Sequence, residues 1–287
     1  MSEMKSAFIT GAASGIGRAT ACLFAEKGWF VGLFDANEQL LRSLEAEIGT
    51  ERCCSRLMDV TDPADVRRAV AFFSEMAGGR MDVLFNCAGI LNMGHHHRIP
   101  LEAHQRIVDV NFSGILNCIH ASMDLLRTRP GSRIINMSSA SAVYGTPELA
   151  VYSATKCAVR GLTEALNIEF EPLGIIVCDV MAPYVRTPMI TDSAVKASSV
   201  DRLGIRLQPE DVARVVWKAA HGKKVHWRVG LLLTGVMLLS WAAPFGKRSV
   251  MKLLAFSGKQ EAYLEKHPHY RRGRISRKEN HGNTEPG

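Results

Sequence analysis

The segment Thr10-Gly-Ala-Ala-Ser-Gly-Ile-Gly17 is the strongest indication of the fold that we expect for this chain of 287 residues. It follows a short apolar run at residues 7–10, which predicts a buried strand, and leads into residues 16–27, which predict a helix. Gly28 stands just past that helix, where a left-handed residue is needed to end it. A strand, a glycine-rich turn and a helix in this order are typical of the first unit of an α/β fold.

The first two hundred residues continue this alternation of strands and helices. Near-continuous apolar strands between amphipathic helices predict a doubly wound, Rossmann-like parallel sheet covered on both faces, in a single domain. The helix at 101–127 is expected to bend or break near Asn111, and Asp62-Pro63 is expected to open the helix before the fourth strand. Further strands are predicted at residues 30–34, 54–58, 83–85, 132–137, 175–179 and 225–230, and further helices at 38–48, 150–171 and 209–220.

The C-terminal part is less regular. Residues 229–246 run for 18 positions without a charge, but they include two internal glycines and a proline. A spanning helix needs about 20 apolar residues, so this run is of marginal length. Three interpretations stay open: a membrane span, a helix on a membrane surface, or a helix packed on the protein or a partner subunit. We therefore expect one domain at 1–258 with an extended apolar C-terminal segment, and a basic, disordered tail at 259–287.

Composition narrows the function classes. The net charge is +7, and the tail carries +3 of it because it holds seven Lys/Arg against four Asp/Glu. The remaining charge is too mild to predict nucleic-acid binding, and we expect none. Seven scattered cysteines without a Cys-x-x-Cys pair favour reduced thiols and a cytoplasmic location, with peripheral membrane contact through 229–246 as the open alternative.

The glycines of the first turn predict a dinucleotide site. Gly11, Gly15 and Gly17 let backbone N–H groups approach a pyrophosphate, and the helix N-terminus adds a partial positive charge. Asp35 ends the second predicted strand and could accept hydrogen bonds from the adenosine ribose, which favours NAD over NADP because a carboxylate repels a 2′-phosphate. The alternative for Asp35 is a cap on the next helix.

Other strand ends should face the same cleft, because ligands collect at the carboxyl ends of parallel strands. Asp59-Val60 follows the third strand and would lie by the adenine, and Asn86-Cys-Ala-Gly89 follows the fourth. For Asn86 an alternative remains, in which its amide ties neighbouring strands together.

Tyr152 and Lys156 form the candidate catalytic group. Residues four apart share one face of a helix, so the Lys156 ammonium and the helix N-terminus are expected to favour the phenolate of Tyr152. Ser139, thirteen residues before Tyr152, could donate a hydrogen bond to a substrate oxygen. Ser138 is the alternative candidate for this role, and we choose Ser139 because of its spacing from Tyr152.

These motifs resemble, in this order, those of the short-chain dehydrogenase/reductase family in its single-domain branch. The resemblance covers residues 10–188 and ends with Pro183-Tyr-Val-Arg-Thr-Pro188. It implies that Tyr152 is the proton donor and acceptor, with Lys156 as its partner, and that Asn111 holds a water linking Lys156 to solvent. It also implies homodimers or homotetramers. The cofactor-binding positions so expected are Gly11, Ser14, Gly15, Ile16, Gly17, Asp35, Asp59, Val60, Asn86, Ala88, Gly89, Tyr152, Lys156, Pro183, Val185 and Thr187.

Two positions depart from the family pattern: Cys87 replaces the usual second Asn, and Tyr184 replaces the usual Gly after Pro183. Both lie beside the expected site without being reacting groups. His95-His96-His97 could suggest a metal, but consecutive side chains do not converge readily and no partner has ligand spacing, so we expect no metal.

We therefore expect an oxidoreductase that transfers hydride between NAD(H) and a lipophilic secondary alcohol or ketone (or an aldehyde). The alternative is a catalytically weak dinucleotide-binding sensor or scaffold with the same fold. The residues expected around the substrate are mainly apolar: Leu91, Met93, Val143, Tyr144, Tyr184, Met189 and the segment 190–205.

Overall fold

The computed structural model describes residues 4–230, and its centre is a parallel sheet with strand order β3-β2-β1-β4-β5-β6-β7. All six strand pairs are parallel, as predicted. The order reverses between β1 and β4, which is where doubly wound sheets form their ligand cleft. The strands are β1 (Ser6–Thr10), β2 (Phe30–Asp35), β3 (Cys53–Leu57), β4 (Val83–Asn86), β5 (Arg133–Met137), β6 (Ile176–Met181) and β7 (His226–Arg228).

Helices cover both faces of the sheet. Along β1, Ala7 and Ile9 join a core shared with α1, α2 and α9, whereas Phe8 points to the other face and joins a core shared with α3, α5 and α6. This alternation follows from the twofold period of a strand. The helices are α1 (Gly15–Glu26), α2 (Glu38–Ile48), α3 (Pro63–Met76), α4 (Leu101–Val108), α5 (Gly114–Arg127), α6 (Ala150–Glu169), α7 (Pro188–Thr191), α8 (Ser198–Leu203) and α9 (Pro209–Ala219).

The expected interruption near Asn111 is confirmed. A π-helical turn, Asp109–Ser113, separates α4 from α5. Just beyond it the chain passes so close to Val60 that a Cβ on Gly114 would lie 2.7 Å from the valine side chain. The helix therefore changes pitch where it must press against the loop after β3.

Local sequence signals account for most element ends. Gly28 follows α1 with φ of +80°, and the Asp62 carboxylate accepts a hydrogen bond from the Ala64 N–H (2.8 Å) at the start of α3. The short helices α7 and α8 between β6 and α9 were not predicted, because neither is long enough to show a helical period.

The apolar run at 229–246 extends past residue 230, the last residue described. The predicted domain boundary at 258/259 and the predicted basic tail lie wholly outside the described residues. Within residues 4–230, none of the helices has the length and apolar character required to cross a membrane.

Candidate active site

The glycine turn between β1 and α1 is packed too closely for side chains. A Cβ on Gly17 would lie 2.0 Å from the carbonyl oxygen of Gly11, and a Cβ on Gly11 would lie 2.8 Å from the Ala88 Cα. Gly11 also has φ of +65°, a conformation that other residues rarely adopt. The Thr10 hydroxyl accepts hydrogen bonds from the N–H groups of Cys87 and Ala88, each at 3.0 Å, and so holds the turn against the end of β4.

Asp35 closes one side of this turn. One carboxylate oxygen accepts a hydrogen bond from the Ala13 N–H (3.0 Å), and the other accepts from the Asn37 N–H (3.0 Å). The cap of α2 is supplied by the Asn37 side chain, which accepts from the Leu40 N–H (3.0 Å), so Asp35 is not the side chain that caps that helix. Asp35 instead orders the glycine turn and presents a negative charge beside it.

Asp59 lies at the same end of the cleft and pairs with Arg106 of α4. The carboxylate accepts hydrogen bonds from the Thr61 N–H (2.9 Å) and hydroxyl (2.8 Å), and from the Arg106 guanidinium (3.0 Å). Burial works against ionisation of Asp59, but these bonds outweigh it and lower the pKa of the carboxyl below its usual value. Arg106 could not be predicted as a site residue, because no motif links α4 to the loop after β3.

The Asn86 side chain ties neighbouring strands together, as the alternative interpretation proposed. Its amide nitrogen donates to the Asn136 side-chain oxygen (2.9 Å), and Asn136 donates in turn to the Thr163 hydroxyl (3.0 Å). The two asparagines stand opposite each other in the β4–β5 register, so the pair ties the two strands together and to α6. The Asn86 side chain does not line the cleft described below.

Asn111 is buried in the π-helical turn, and it too does not line the cleft. Its amide oxygen accepts from the Ile90 N–H (2.8 Å), and its amide nitrogen donates to the Ile90 carbonyl (3.0 Å). The side chain therefore fixes the segment after β4. The water-holding role that the family resemblance implied for Asn111 stays a prediction.

Tyr152, in the first turn of α6, lies beside Ser139 at the end of β5. Burial raises the pKa of the Tyr152 phenol to about 12, and the hydrogen bond with the Ser139 hydroxyl works in the lowering direction. The Ser139 oxygen also accepts from the Ser141 N–H (3.1 Å), which fixes its position. The alternative candidate, Ser138, is almost fully buried, and its hydroxyl has no hydrogen-bond partner among the described residues.

Lys156 does share a helix face with Tyr152, but its effect on the phenol differs from the expectation. Its ammonium lies 5.5 Å from the centroid of the Tyr152 ring and donates to the Met137 carbonyl oxygen (2.8 Å). Burial lowers the pKa of the Lys156 ammonium to about 8. Burial thus acts on the Tyr152 phenol in the direction opposite to the one expected from Lys156 and the helix terminus, and it is the largest cause of the raised pKa.

One cavity of about 550 Å³ joins these groups. It extends from the glycine turn and Asp35 to Ser139, Tyr152 and Lys156. The cavity is also lined by the following predicted cofactor positions: Ser14, Ile16, Asp59, Val60, Ala88, Gly89, Pro183, Val185 and Thr187.

The end of the cavity near Tyr152 is apolar. Of the substrate residues predicted individually, Met93 does not line the cavity, and its side chain packs in a small core with Leu149 and Val200. Among the described residues, no group of His, Cys, Asp and Glu is placed to hold a metal. The lining includes the predicted Leu91, Val143, Tyr144, Tyr184 and Met189, with Ile190, Ser199 and Leu203 of the predicted segment 190–205, and the additional Thr146 and Leu149.

The residues at the other end fit a dinucleotide. The Ser14 side chain makes no capping bond within the described chain, so the first N–H groups of α1 can bind an anion such as a pyrophosphate. The floor there is formed by Gly11, Gly15 and Gly17, where the packing already excludes a Cβ on each residue, and the Asp35 carboxylate stands beside it.

Comparisons with known proteins agree with this geometry. The family model described as short chain dehydrogenase matches residues 5–197. Cyclohexanol dehydrogenase of Acinetobacter sp. (strain SE19) is 32% identical over 219 residues, 74% of this chain and 86% of the relative. The 2,5-dichloro-2,5-cyclohexadiene-1,4-diol dehydrogenase LinX of Sphingobium indicum is 38% identical over 189 residues, 64% of this chain and 74% of the relative.

Among solved structures, the 3-ketoacyl-(acyl-carrier-protein) reductase of Brucella melitensis complexed with NADH is similar, with a TM-score of 0.72 and 30% identity. The match covers 79% of this chain and 97% of that structure. The chain therefore belongs to the short-chain dehydrogenase/reductase family, as an NAD(P)-dependent oxidoreductase that acts on CH–OH donors.

Proposed function

We propose that this chain interconverts a lipophilic secondary alcohol and its ketone (or an aldehyde) with NAD(H), and that Tyr152 exchanges the proton of the substrate oxygen. The observation that carries the proposal is that Ser139, Tyr152 and Lys156 line the same cavity as the glycine turn. When bound, the nicotinamide supplies or accepts the hydride.

The chain's own residues account for the proton. Because the pKa of Tyr152 is raised to about 12, the phenol keeps its proton at neutral pH and can donate it to a ketone oxygen. Ser139 can donate a hydrogen bond to the same oxygen as negative charge develops there. Lys156, fixed by the Met137 carbonyl, holds a positive charge beside Tyr152 below about pH 8 and could hold the nicotinamide ribose.

The charge beside the glycine turn supports NAD rather than NADP. The Asp35 carboxylate would repel a 2′-phosphate, and Ala12-Ala13-Ser14 offers no Lys or Arg to compensate for it.

The apolar lining supports a lipophilic substrate. Leu91, Val143, Leu149, Met189 and Ile190 surround the side of the cavity near Tyr152. The two named relatives are dehydrogenases of cyclic alcohols by their names, so cyclic secondary alcohols are the first compounds to test.

Self-association is a further part of the proposal. Leu101 and Val108 of α4, Leu116 of α5 and Ile168 of α6 are exposed, and they give these helices apolar surface that a second copy could cover. The seven free cysteines fit a reducing compartment such as the cytoplasm.

The test is a panel of cyclic and linear secondary alcohols with NAD and NADP, followed by the absorbance of the reduced cofactor. Tyr152→Phe should lower kcat/KM at least about 10²-fold while the Kd for NADH stays unchanged. Ser139→Ala should lower kcat about 10²-fold, because a donor to the substrate oxygen is lost. Its matched control Ser138→Ala should lose much less.

Unchanged turnover by Tyr152→Phe would refute the proton assignment. If the unaltered protein binds NADH but oxidises no alcohol and reduces no ketone in the panel, the alternative of a dinucleotide sensor would replace the proposed function.

A further inference from the structure

Tyr184 places a phenol ring at the substrate end of the cavity. It follows Pro183 at the end of β6, lines the cavity together with Tyr152, and packs on the small core that contains Leu149 and Val200. Its hydroxyl lies 2.6 Å from the Ser199 hydroxyl, so the ring is hydrogen-bonded to α8 at its outer end. Tyr184 is therefore a fixed part of the cavity boundary.

Glu148 holds the same helix from another element. Its carboxylate accepts a hydrogen bond from the Ser198 N–H (2.6 Å), and its main-chain oxygen accepts from the Gly94 N–H (2.9 Å). Glu148 has φ of +64°, the only positive φ at a non-glycine position among residues 4–230. Such a conformation is strained for a residue with a side chain, and it persists only when the surroundings enforce it.

Two hydrogen bonds from two elements thus meet at the start of α8. Glu148, just before α6, holds Ser198, and Tyr184, just after β6, holds Ser199. Ser199 and Leu203 of α8 themselves line the cavity. The position of α8, and with it one wall of the substrate end, depends on these two contacts.

Resting on the proposed function, we propose that Tyr184 is the residue that sets the size of substrate accepted, and that Glu148 is a positioning residue that holds α8 against it. The ring occupies a position where the family usually has glycine, so this chain should accept a smaller substrate than the same cavity would without the ring. The ligand class is secondary alcohols and ketones of limited length beyond the reacting carbon.

A series of 2-alkanols from 2-butanol to 2-dodecanol tests the size limit. In Tyr184→Ala, the ratio of kcat/KM for 2-decanol to that for 2-butanol should rise at least about tenfold, because steric contacts with several methylene groups are removed. Tyr184→Phe keeps the ring, so the ratio should change much less than in Tyr184→Ala. An unchanged ratio in Tyr184→Ala would overturn the assignment.

Hydrogen–deuterium exchange tests the positioning role without any turnover. In Glu148→Ala and in Tyr184→Phe, the amides of residues 198–203 should exchange faster, whereas Glu148→Gln keeps an acceptor for the Ser198 N–H and should restore slow exchange. Glu148→Ala should also raise the KM for the alcohol while the Kd for NADH is unchanged. Equal exchange in all variants, or an equal loss of NADH binding, would overturn the role of Glu148.

The failure of the proposed function would be recognisable separately. If the unaltered protein oxidises none of the alcohols, thermal shifts of the NADH-loaded protein with the corresponding 2-alkanones read the same size limit by binding. Long ketones should then stabilise Tyr184→Ala more than the unaltered protein. No such difference would overturn the size assignment whether or not turnover occurs.

Discussion

The Lys156 ammonium donates a hydrogen bond to the Met137 carbonyl oxygen over 2.8 Å, and so joins helix α6 to the last residue of strand β5. Ser139 lies two residues beyond Met137, and Tyr152 lies one helical turn before Lys156. This contact therefore helps to set the distance between the end of β5 and the start of α6, from which the active-site side chains project.

The burial of Lys156 predicts a pH limit for ketone reduction. The pKa of Lys156 is lowered by burial to about 8, so the ammonium is charged below that pH and neutral above it. The kcat/KM for NADH, which reports groups of the free protein, should be level below about pH 8 and fall as the pH rises above it. In Lys156→Met the kcat/KM for NADH should be lower at every pH, and it should no longer fall as the pH rises. A pH profile of unaltered shape in that variant would show that another group titrates.

The close contact between Gly17 and Gly11 predicts that any side chain at position 17 would distort the glycine turn. Gly17→Ala places a Cβ 2.0 Å from the Gly11 carbonyl oxygen, so the turn must open and NADH binding should weaken at least about tenfold, equal to about 1.4 kcal/mol. Gly161→Ala is the matched control, because a Cβ there meets no atom within 4 Å and alanine favours a helix. Titration of NADH with each variant measures both. Equal affinities would contradict the close packing of the turn.

Asp35 should decide between NAD and NADP. Asp35→Asn keeps an acceptor for the Ala13 N–H but removes the charge, so the ratio of kcat/KM for NADP to that for NAD should rise. Asp35→Ala also loses the acceptor, and it should weaken both cofactors because the glycine turn is less ordered. Steady-state kinetics with each cofactor separate the two effects. The idea fails if Asp35→Asn discriminates against NADP as strongly as the unaltered protein.

His226 of β7 predicts a pH dependence of stability. It contacts the fully buried Asp179 at 2.9 Å and Glu164 at 3.1 Å, and the hydrogen bond with Asp179 is the main cause that raises its pKa above the usual value. A raised pKa means that the stabilisation is complete below about pH 6.5 and is lost as the pH rises through the folded-state pKa.

The free energy of unfolding, measured with denaturant, should therefore decline over this pH window in the unaltered protein. His226→Gln should remove that decline, and it should cost about 1–3 kcal/mol at pH 6 because Asp179 loses its partner. His221→Gln, an exposed histidine after α9, is the control that should keep the decline. A decline of equal size in His226→Gln would assign it to a different group.

Sequence periodicity and turn chemistry were enough to predict the sheet, the order of its elements and the break in the helix at Asn111. They succeed because apolar strands and amphipathic helices carry their own period, and because the glycine turn and the Asp62 cap act within a few residues. Periodicity could not reveal α7 and α8, which are four and six residues long.

Spacing also predicted that Tyr152 and Lys156 share a helix face, and that strand ends such as Asp35 and Asp59 reach one cleft. Spacing could not compare the effect of desolvation with the effect of charge, and for that reason the predicted direction of the shift in the Tyr152 pKa was wrong. Burial depends on everything packed around a group, and no local pattern records it.

Local sequence was enough to predict the glycine turn, the Tyr152–Lys156 pair and the α/β alternation, because each of these depends on residues close together in the chain. The folded structure was needed to reveal that Asn86 bonds Asn136, that Arg106 reaches Asp59 and that Tyr184 and Glu148 both hold α8. These contacts join residues 15 to 50 positions apart, and a side chain's partner at such a distance is set by the packing of whole elements.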